Sequence, residues 1–325
     1  MIMTQSSSTC QLPSPQRTKH LGCGFFATFK DVQAFFEPQP LSLLPEPQPM
    51  TPALTPPTPI AFIGGGNMAS ALIGGLLKVG TLAQHVHVVE PDALARERLQ
   101  ASFGVQTWKS AGPFLQTCDL VVWAVKPQIF KEAALACATF CAHPLHLSVA
   151  AGITTPSICN WLNSHRVVRA MPNTPALVGL GQTGLFATPE VKSADKKLVE
   201  HVLSPTGQFL WVKEESMLDA VTALSGSGPA YVFYFIEALC QAGEAMGLEP
   251  QAAKQLAIGT FVGASALASQ SDESPSTLRE RVTSKGGTTF AALEHFRGHQ
   301  VAQHIQEALF AAQQRAKELG AEFGN

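Results

Sequence analysis

Apolar residues follow two different spacings along the chain after residue 59. Short apolar runs typical of buried strands alternate with longer segments in which apolar residues recur every three or four positions, as on a helix. The strand-like runs cover residues 60–63, 86–90, 120–125, 145–150 and 167–170. Strands that alternate with helices predict an α/β fold with a doubly wound parallel sheet of Rossmann type.

The pattern changes near residue 216, after which only helical spacing remains. The predicted helices cover residues 229–246, 250–268, 275–282 and 301–319. Their faces are rich in alanine and glycine, which allow close packing, so we expect an all-α domain that also provides a dimer interface. The chain is therefore predicted to contain a sheet domain at 60–215 and a helical domain at 216–325.

Residues 1–59 show neither spacing. Nine prolines lie between Pro38 and Pro59, interleaved with Gln, Glu and Thr, and this composition favours an extended, solvated chain. The first thirty residues weakly resemble a transit peptide, but they contain no clear amphipathic Arg-rich helix. We expect a disordered Pro-rich extension and exclude it from the fold.

Composition narrows the classes of function. Lys and Arg number 22 against 24 Asp and Glu, a balance that does not favour nucleic-acid binding. The chain is 46% hydrophobic, but its long uncharged runs contain Gly, Ser, Asn or Pro, so we expect packed soluble helices and no membrane span. The chain has seven cysteines and no CxxC spacing. This pattern predicts a reducing compartment, which we expect to be the cytoplasm, and it does not support a metal site.

The turn after the first strand is a candidate nucleotide site. Gly64, Gly66 and Ala69 fit the pattern GxGxxA. In dinucleotide-binding folds the first glycine makes the turn, the second lets a pyrophosphate approach the backbone, and the third small residue packs the helix on the strand. The phosphates then lie on N–H groups of the helix start. Because the same residues can serve packing alone, this turn does not decide the function by itself.

Glu90 ends the second apolar run, where such folds place an acidic residue that binds the adenosine ribose. An acid at this position favours NAD by accepting a hydrogen bond from the 2′-hydroxyl, and it repels the 2′-phosphate of NADP. Arg96 and Arg98 would offset this repulsion if they turned inward. A solvated helix start is the alternative interpretation.

Three further strand ends carry small or backbone-restricting residues, at 125–128 (VKPQ), 150–152 (AAG) and 171–175 (MPNTP). Ligands of doubly wound sheets bind beyond these carboxyl ends. Lys126 can reach a ribose or a phosphate, and Asn173 can hydrogen-bond a nicotinamide or a substrate. Loop formation explains any one of these segments, but three at consecutive strand ends predict a binding edge.

Residues 283–289, TSKGGTT, place two glycines directly before a helix. The backbone N–H groups from Gly286 to Thr289 then form an anion receptor that the helix dipole assists, so a small carboxylate can be held without arginine. The Thr289 hydroxyl would point into the same cavity. We call this segment the carboxylate clamp; a simple helix cap is the alternative.

These stretches resemble the pyrroline-5-carboxylate reductases, the last enzymes of proline biosynthesis. The resemblance runs from Ile60 to near the C terminus, in the family's order, through FIGGGNMA, AVKPQ, SVAAG, RAMPNTPALVG, LSGSGPAYVF and VTSKGGTTFAALE. It implies an oxidoreductase that reduces the C=N bond of 1-pyrroline-5-carboxylate to L-proline, with NADP(H) more expected than NAD(H). It also implies a homodimer through the helical domain, often assembled into a larger ring.

Motifs and resemblance together give two sets of site residues. The cofactor set comprises Gly64, Gly66, Asn67, Met68, Ala69, Glu90, Val125, Lys126, Pro127, Ala151, Asn173 and Arg281. The substrate set comprises Glu215, Ser284, Gly286, Gly287, Thr288 and Thr289. Within the substrate set Thr289 is predicted to be catalytic, hydrogen-bonded to the ring nitrogen, while the amides of Gly286 and Gly287 orient the carboxylate.

Two positions depart from the family's pattern, and two rival functions stay open. Arg281 stands where many members have Asn, and Glu90 with Pro91 stands where many have Ser or Asn-Arg. One rival is a relative of the hydroxyacid dehydrogenases, which would want a catalytic Lys on helix 229–246, where there is none. The other is a catalytically silent paralogue that binds the dinucleotide as a sensor or scaffold.

Overall fold

The computed structural model describes residues 58–323 of the chain. The predicted Pro-rich extension lies outside this range except for its last two residues. Eight strands and eleven α-helices form within the described range. The strands are β1 (Ile60–Ile63), β2 (Val86–Val89), β3 (Gln106–Trp108), β4 (Leu120–Trp123), β5 (Leu145–Ser148), β6 (Val167–Met171), β7 (Gly181–Ala187) and β8 (Gly207–Trp211).

The strands form one sheet in the order β3-β2-β1-β4-β5-β6-β7-β8. Neighbouring strands are parallel except for β6 and β7. The connection between these two, residues 172–180, holds only a short 3₁₀ helix at Thr174–Val178, and so short a segment favours antiparallel pairing. The Rossmann-type α/β class is therefore confirmed. The five predicted strands, β1, β2, β4, β5 and β6, pair in parallel, and the antiparallel pair involves β7, which was not predicted.

Five helices belong to the sheet region. They are α1 (Asn67–Lys78), α2 (Ala93–Phe103), α3 (Pro127–Cys137), α4 (Thr155–Leu162) and α5 (Ser193–Leu203). Helix α2 begins after Asp92, whose side chain accepts a hydrogen bond from the Leu94 amide. Pro91 therefore lies just before the helix, and the Asp N-cap satisfies an N–H group of the first turn.

Two separate cores lie on the two faces of the sheet. Phe62 of β1 belongs to one core with Leu72 of α1. Its neighbour Ile63 belongs to the other core with Trp123 and Phe130. Since successive side chains of a strand point to opposite faces, the unbroken apolar runs of β1 and β4 indicate strands covered on both sides.

The remaining helices follow the sheet in sequence. They are α6 (Met217–Val221), α7 (Gly228–Ala245), α8 (Pro250–Ser269), α9 (Pro275–Arg281), α10 (Thr288–Gly298) and α11 (Val301–Phe323). Four of them match the predicted helices to within a few residues, whereas α6 was not predicted. The sheet ends at Trp211 and the helices begin at Met217, while the domain boundary between residues 215 and 216 stays a prediction.

The helical region buries few of its large apolar side chains in one protomer. Phe233, Tyr234 and Phe310 are 65%, 70% and 67% exposed. None of the helices between residues 58 and 323 has the length and apolar character needed to cross a bilayer. Exposed aromatic side chains in this number mark a surface that another protein covers.

A polar network joins the sheet to the start of the helical region. Arg169 of β6 and Glu215 form an ion pair at 2.5 Å, with side chains 9% and 21% exposed. Oε1 of Glu215 also accepts from the Thr155 amide at 2.7 Å, and Oε2 accepts from the Thr155 hydroxyl at 2.5 Å. This carboxylate therefore fixes strand β6, helix α4 and the loop before α6 relative to one another.

We predict that the pH dependence of stability contains a contribution from His146 of β5. This side chain is fully buried and its Nδ1 accepts from Nε1 of Trp123 at 3.2 Å. Burial, together with the charge of Arg166, lowers the pKa of His146 from 6.5 to about 4. The unfolded chain therefore takes up a proton that the folded chain does not, and the free energy of unfolding falls as the pH drops from 6.5 towards 4, by up to about 3 kcal/mol.

Urea denaturation of wild type and His146→Asn at several pH values in this window measures the effect. The Asn oxygen can still accept from Trp123, so the variant should lose much of this pH slope. His143→Gln is the matched control because His143 is exposed, and its slope should stay at the wild-type value. Equal slopes for all three proteins would contradict the prediction.

We also predict that removing the positive charge of Arg169 from its ion pair with Glu215 lowers the free energy of unfolding substantially. In Arg169→Met the Glu215 carboxylate loses its partner while it stays largely buried, and such a loss typically costs about 3–5 kcal/mol. Arg297→Met is the control, because both side chains of its ion pair with Glu294 are exposed, at 57% and 54%, and its loss should cost about 1 kcal/mol or less.

A double-mutant cycle with Glu215→Gln measures the pair itself. The double variant Arg169→Met/Glu215→Gln should recover part of the loss, because the unpaired charge is then absent. Strictly additive free energies of unfolding would contradict a coupling between these two side chains.

Candidate active site

The glycine turn between β1 and α1 has the geometry that a dinucleotide fold needs. Gly64 lies at φ +95°, and its amide donates to the Val89 carbonyl at 2.9 Å. A Cβ at Gly64 would lie 2.7 Å from the Ala124 carbonyl oxygen and 3.0 Å from Val125 Cγ1. Only glycine fits here, because the turn after β1 packs directly on the loop that follows β4.

Helix α1 starts with open backbone at Gly66. This residue is the N-cap, no side chain caps the helix, and a Cβ here would meet no atom of the described chain within 4 Å. Asn67 and Met68 begin the helix, while Ala69 is fully buried in the core below. Free first-turn amides beside open space fit the phosphates of a nicotinamide dinucleotide.

The predicted ribose acid lies beside this turn. Glu90 accepts from the Gly65 amide through Oε2 at 2.9 Å and from the Asp92 amide through Oε1 at 3.0 Å. Arg96 donates from Nη1 to the carbonyl oxygens of Glu90 at 2.8 Å and Pro91 at 2.7 Å. The carboxylate therefore bridges the glycine turn and the end of β2, and Arg96 is bonded to backbone.

The other predicted cofactor residues lie at neighbouring strand ends. Lys126 is the exposed N-cap of α3, and Pro127 is the first residue of that helix. Ala151 follows β5 and is half-buried. Because β1, β4 and β5 are parallel neighbours, their carboxyl ends lie along one edge of the sheet, as the sequence predicted.

The side chain of Asn173 is hydrogen-bonded to other parts of the protein, and its role toward a ligand stays a prediction. Its side chain is 8% exposed, Nδ2 donates to the Ser225 carbonyl at 3.1 Å, and Oδ1 accepts from the Gln182 amide at 2.9 Å. The carboxamide therefore ties the loop after β6 to β7 and to the turn before α7. Gly226 lies close to the same loop, since a Cβ there would be 2.6 Å from Met171 Cε.

Glu215 lines a cavity of about 350 Å³ together with Arg169, Asp219 and Lys317. Its two oxygens are held by Arg169 and Thr155. Burial raises the pKa of Asp219, and the charges of Arg169 and Lys317 act in the opposite direction. Sequence reasoning missed Arg169, although a charged residue inside an apolar strand indicates a buried partner.

The carboxylate clamp is the second helix start with open backbone. Gly287 is the N-cap of α10 and no side chain caps this helix. Gly286 lies at φ +75°, and a Cβ there would meet no described atom within 4 Å. The Gly287 amide donates to the Ser284 carbonyl at 3.0 Å. The next two amides, of Thr288 and Thr289, lie in the first turn of the helix and therefore have no intrahelical acceptors.

The clamp is exposed in one protomer. Ser284, Gly286, Thr288 and Thr289 are all exposed, and Gly287 is half-buried. Arg281, at the end of α9, forms an ion pair with Glu273 at 2.5 Å. The structure thus brings together the glycine turn, Glu90 and the strand-end loops, whereas the hydrogen bonds of the clamp are made within the clamp and to the flanking helices α9 and α10.

Two family models match separate parts of the chain. Residues 59–152 match a family described as NADP oxidoreductase, coenzyme F420-dependent. Residues 215–319 match the family described as pyrroline-5-carboxylate reductase dimerisation. The first match covers the glycine turn and the first strand-end loops, and the second covers Glu215 and the clamp.

Relatives match most of the chain along nearly their whole length. Pyrroline-5-carboxylate reductase of Pseudomonas aeruginosa is 42% identical over 267 residues, which cover 82% of this chain and 98% of the relative. The enzyme of Arabidopsis thaliana is 34% identical over 80% of this chain and 95% of the relative.

Solved structures agree with these matches. The pyrroline-5-carboxylate reductase of Coxiella burnetii superposes with a TM-score of 0.76 at 38% identity, over 81% of this chain and 98% of that one. The Plasmodium falciparum pyrroline carboxylate reductase, solved with NADP bound, gives 0.73 at 28% identity, over 81% and 98%. The chain belongs to the pyrroline-5-carboxylate reductase family.

Proposed function

We propose that this protein reduces 1-pyrroline-5-carboxylate to L-proline with a nicotinamide dinucleotide, the last step of proline biosynthesis. The observation that supports it most directly is the second open helix start, at Gly287, in a chain whose sheet already carries a dinucleotide turn. The dinucleotide, when bound, supplies a hydride to the carbon of the C=N bond. The chain must then hold two ligands face to face and keep a proton at the imine nitrogen.

The carboxylate clamp orients the imine. Its open amides at Thr288 and Thr289 receive the substrate carboxylate, and the dipole of α10 favours the negative charge there. The Gly287 amide is already bonded to the Ser284 carbonyl. The Thr289 hydroxyl hydrogen-bonds the ring nitrogen, whose proton remains on the amine of the product. Backbone amides therefore fix the position of the substrate, and the Thr289 side chain contacts the bond that reacts.

Glu215, in the loop before α6, is the second side chain to which we assign a role toward the substrate. Its carboxylate accepts from Arg169 and Thr155, so it keeps one orientation beside the cavity while it carries negative charge. A fixed carboxylate near the imine favours the protonated, more electrophilic form of the C=N group. We assign Arg169 and Thr155 as positioning residues for Glu215, with no direct contact to substrate.

Dimerisation through the helical region would cover the clamp. The helical region is the part of the chain that matches the dimerisation family, and its aromatic side chains and clamp are exposed in one protomer. We infer that a second copy covers both, which removes competing water from the clamp amides. We further propose a larger ring of dimers, a cytoplasmic location, and the domain division at 60–215 and 216–325.

We predict that purified protein oxidises NADPH or NADH only when 1-pyrroline-5-carboxylate is present. Absorbance of the reduced nicotinamide measures turnover, and chromatographic detection of proline identifies the product. Dinucleotide binding by calorimetry without any oxidation in the presence of the imine would contradict a reductase and favour a dinucleotide-binding scaffold.

A substitution at Thr289 tests the catalytic assignment. Thr289→Ala removes the hydroxyl that bonds the ring nitrogen, so kcat/KM for the imine should fall about 10²-fold, as for loss of one hydrogen bond that is made in the transition state. Thr289→Ser keeps the hydroxyl and should stay within about tenfold of wild type.

The melting temperature separates chemistry from folding in this comparison. Both variants should melt near the wild-type temperature, because Thr289 is exposed, is the second residue of α10 and caps no helix. Wild-type turnover in Thr289→Ala would remove this residue from the mechanism.

A further inference from the structure

We propose that Glu90 makes this enzyme select NADH over NADPH, by binding the adenosine ribose through its carboxylate and repelling a 2′-phosphate. The proposal rests on the proposed function for the class of cofactor, and it refines the choice between NADP(H) and NAD(H) that family membership leaves open. It depends on four residues around the end of β2: Gly65, Glu90, Asp92 and Arg96.

The position of the Glu90 carboxylate is fixed by backbone. One oxygen accepts from the Gly65 amide, inside the glycine turn, and the other accepts from the Asp92 amide, just before α2. A Cβ at Gly65 would lie 3.4 Å from that first oxygen, so the carboxylate lies against the turn itself. A negative charge is thereby held at the edge where a dinucleotide fold places the adenosine ribose.

The carboxylate keeps acceptor capacity for a ligand. An ionised carboxylate offers about four lone-pair sites, and each oxygen of Glu90 uses one of them for a backbone amide. The remaining sites can accept from the two ribose hydroxyls of NADH. In NADPH the 2′-hydroxyl is replaced by a phosphate, which has no proton to donate and carries charge of the same sign.

The arginines nearby do not reverse this preference. Nη1 of Arg96 donates to the carbonyl oxygens of Glu90 and Pro91, so this guanidinium is used to shape the loop. Arg98 donates from Nε to the Leu94 carbonyl at 3.3 Å along its own helix and is exposed. A receptor for a 2′-phosphate requires guanidinium or amide donors aimed at it, whereas the Gly65 amide is already bonded to Glu90.

Binding without substrate tests the proposal directly. We would measure by calorimetry the Kd of the wild-type protein for NADH and NADPH, and for ADP and 2′,5′-ADP, which isolate the ribose end. We expect NADH to bind about tenfold more tightly than NADPH, and ADP about tenfold more tightly than 2′,5′-ADP. Equal affinities, or tighter binding of the 2′-phosphorylated ligands, would overturn the proposal.

The variant Glu90→Gln assigns the preference to this side chain. It removes the charge and keeps one oxygen as an acceptor, so the ratio of NADH to NADPH affinity should fall about tenfold, mainly through tighter NADPH binding. Glu97→Gln is the matched control, since it removes the same charge from an exposed position of α2 and should leave the ratio unchanged. An unchanged ratio in Glu90→Gln, or an equal fall in Glu97→Gln, contradicts the proposal.

The readout distinguishes this inference from the proposed reaction. Because the imine is absent, a preference for NADH that depends on Glu90 supports the inference even if 1-pyrroline-5-carboxylate is not reduced. Conversely, efficient imine reduction with NADPH and no preference in binding would leave the reaction established and the role of Glu90 refuted. Should Glu90→Gln fail to fold, the wild-type comparison of ADP with 2′,5′-ADP still decides on the preference itself.

Discussion

Backbone amides at helix starts that no side chain satisfies are the constraint on which the proposed site depends. Between residues 58 and 323 two α-helices have glycine as N-cap, α1 at Gly66 and α10 at Gly287. By contrast, Asp92, Thr154 and Ser274 cap α2, α4 and α9 with their own oxygens. Helices α3, α6, α7 and α8 also begin without a side-chain cap, but at the two glycine starts the N-cap carries no side chain at all. Phosphate and carboxylate groups can therefore approach the first-turn amides there.

The rest of the chain holds these two helix starts in usable positions. The turn before α1 is fixed against the loop after β4, because Gly64 approaches Ala124 more closely than any Cβ would allow. Glu90 adds a hydrogen bond from the end of β2 to the same turn. On the other side, Glu215 joins β6 and α4 to the start of the helices. These contacts order the binding surface before any ligand arrives, which lowers the entropic cost of binding.

The sequence predicts the parts of this molecule that local pattern determines. The apolar runs of β1 and β4, the glycine turn and the clamp were all identified from spacing, because each acts through its own few residues. Strands β3, β7 and β8 were not predicted. The glycines of β7 interrupt its apolar pattern, and its pairing with β6 and β8 makes it a strand. The partners of Glu215 and Asn173 were missed for a related reason: they lie 60 and 52 residues away in sequence, and only the fold brings them together.

The proposed dimer surface and the proposed carboxylate clamp lie in the same region of this protein. The aromatic side chains of α7 and the clamp before α10 are both exposed in one protomer, and both belong to the region that matches the dimerisation family. Water competes for the clamp amides as long as this surface is open, and an electrostatic contact of this kind strengthens several-fold once water is excluded. Burial of the apolar face therefore contributes free energy to assembly and, at the same time, increases the affinity of the clamp for a carboxylate.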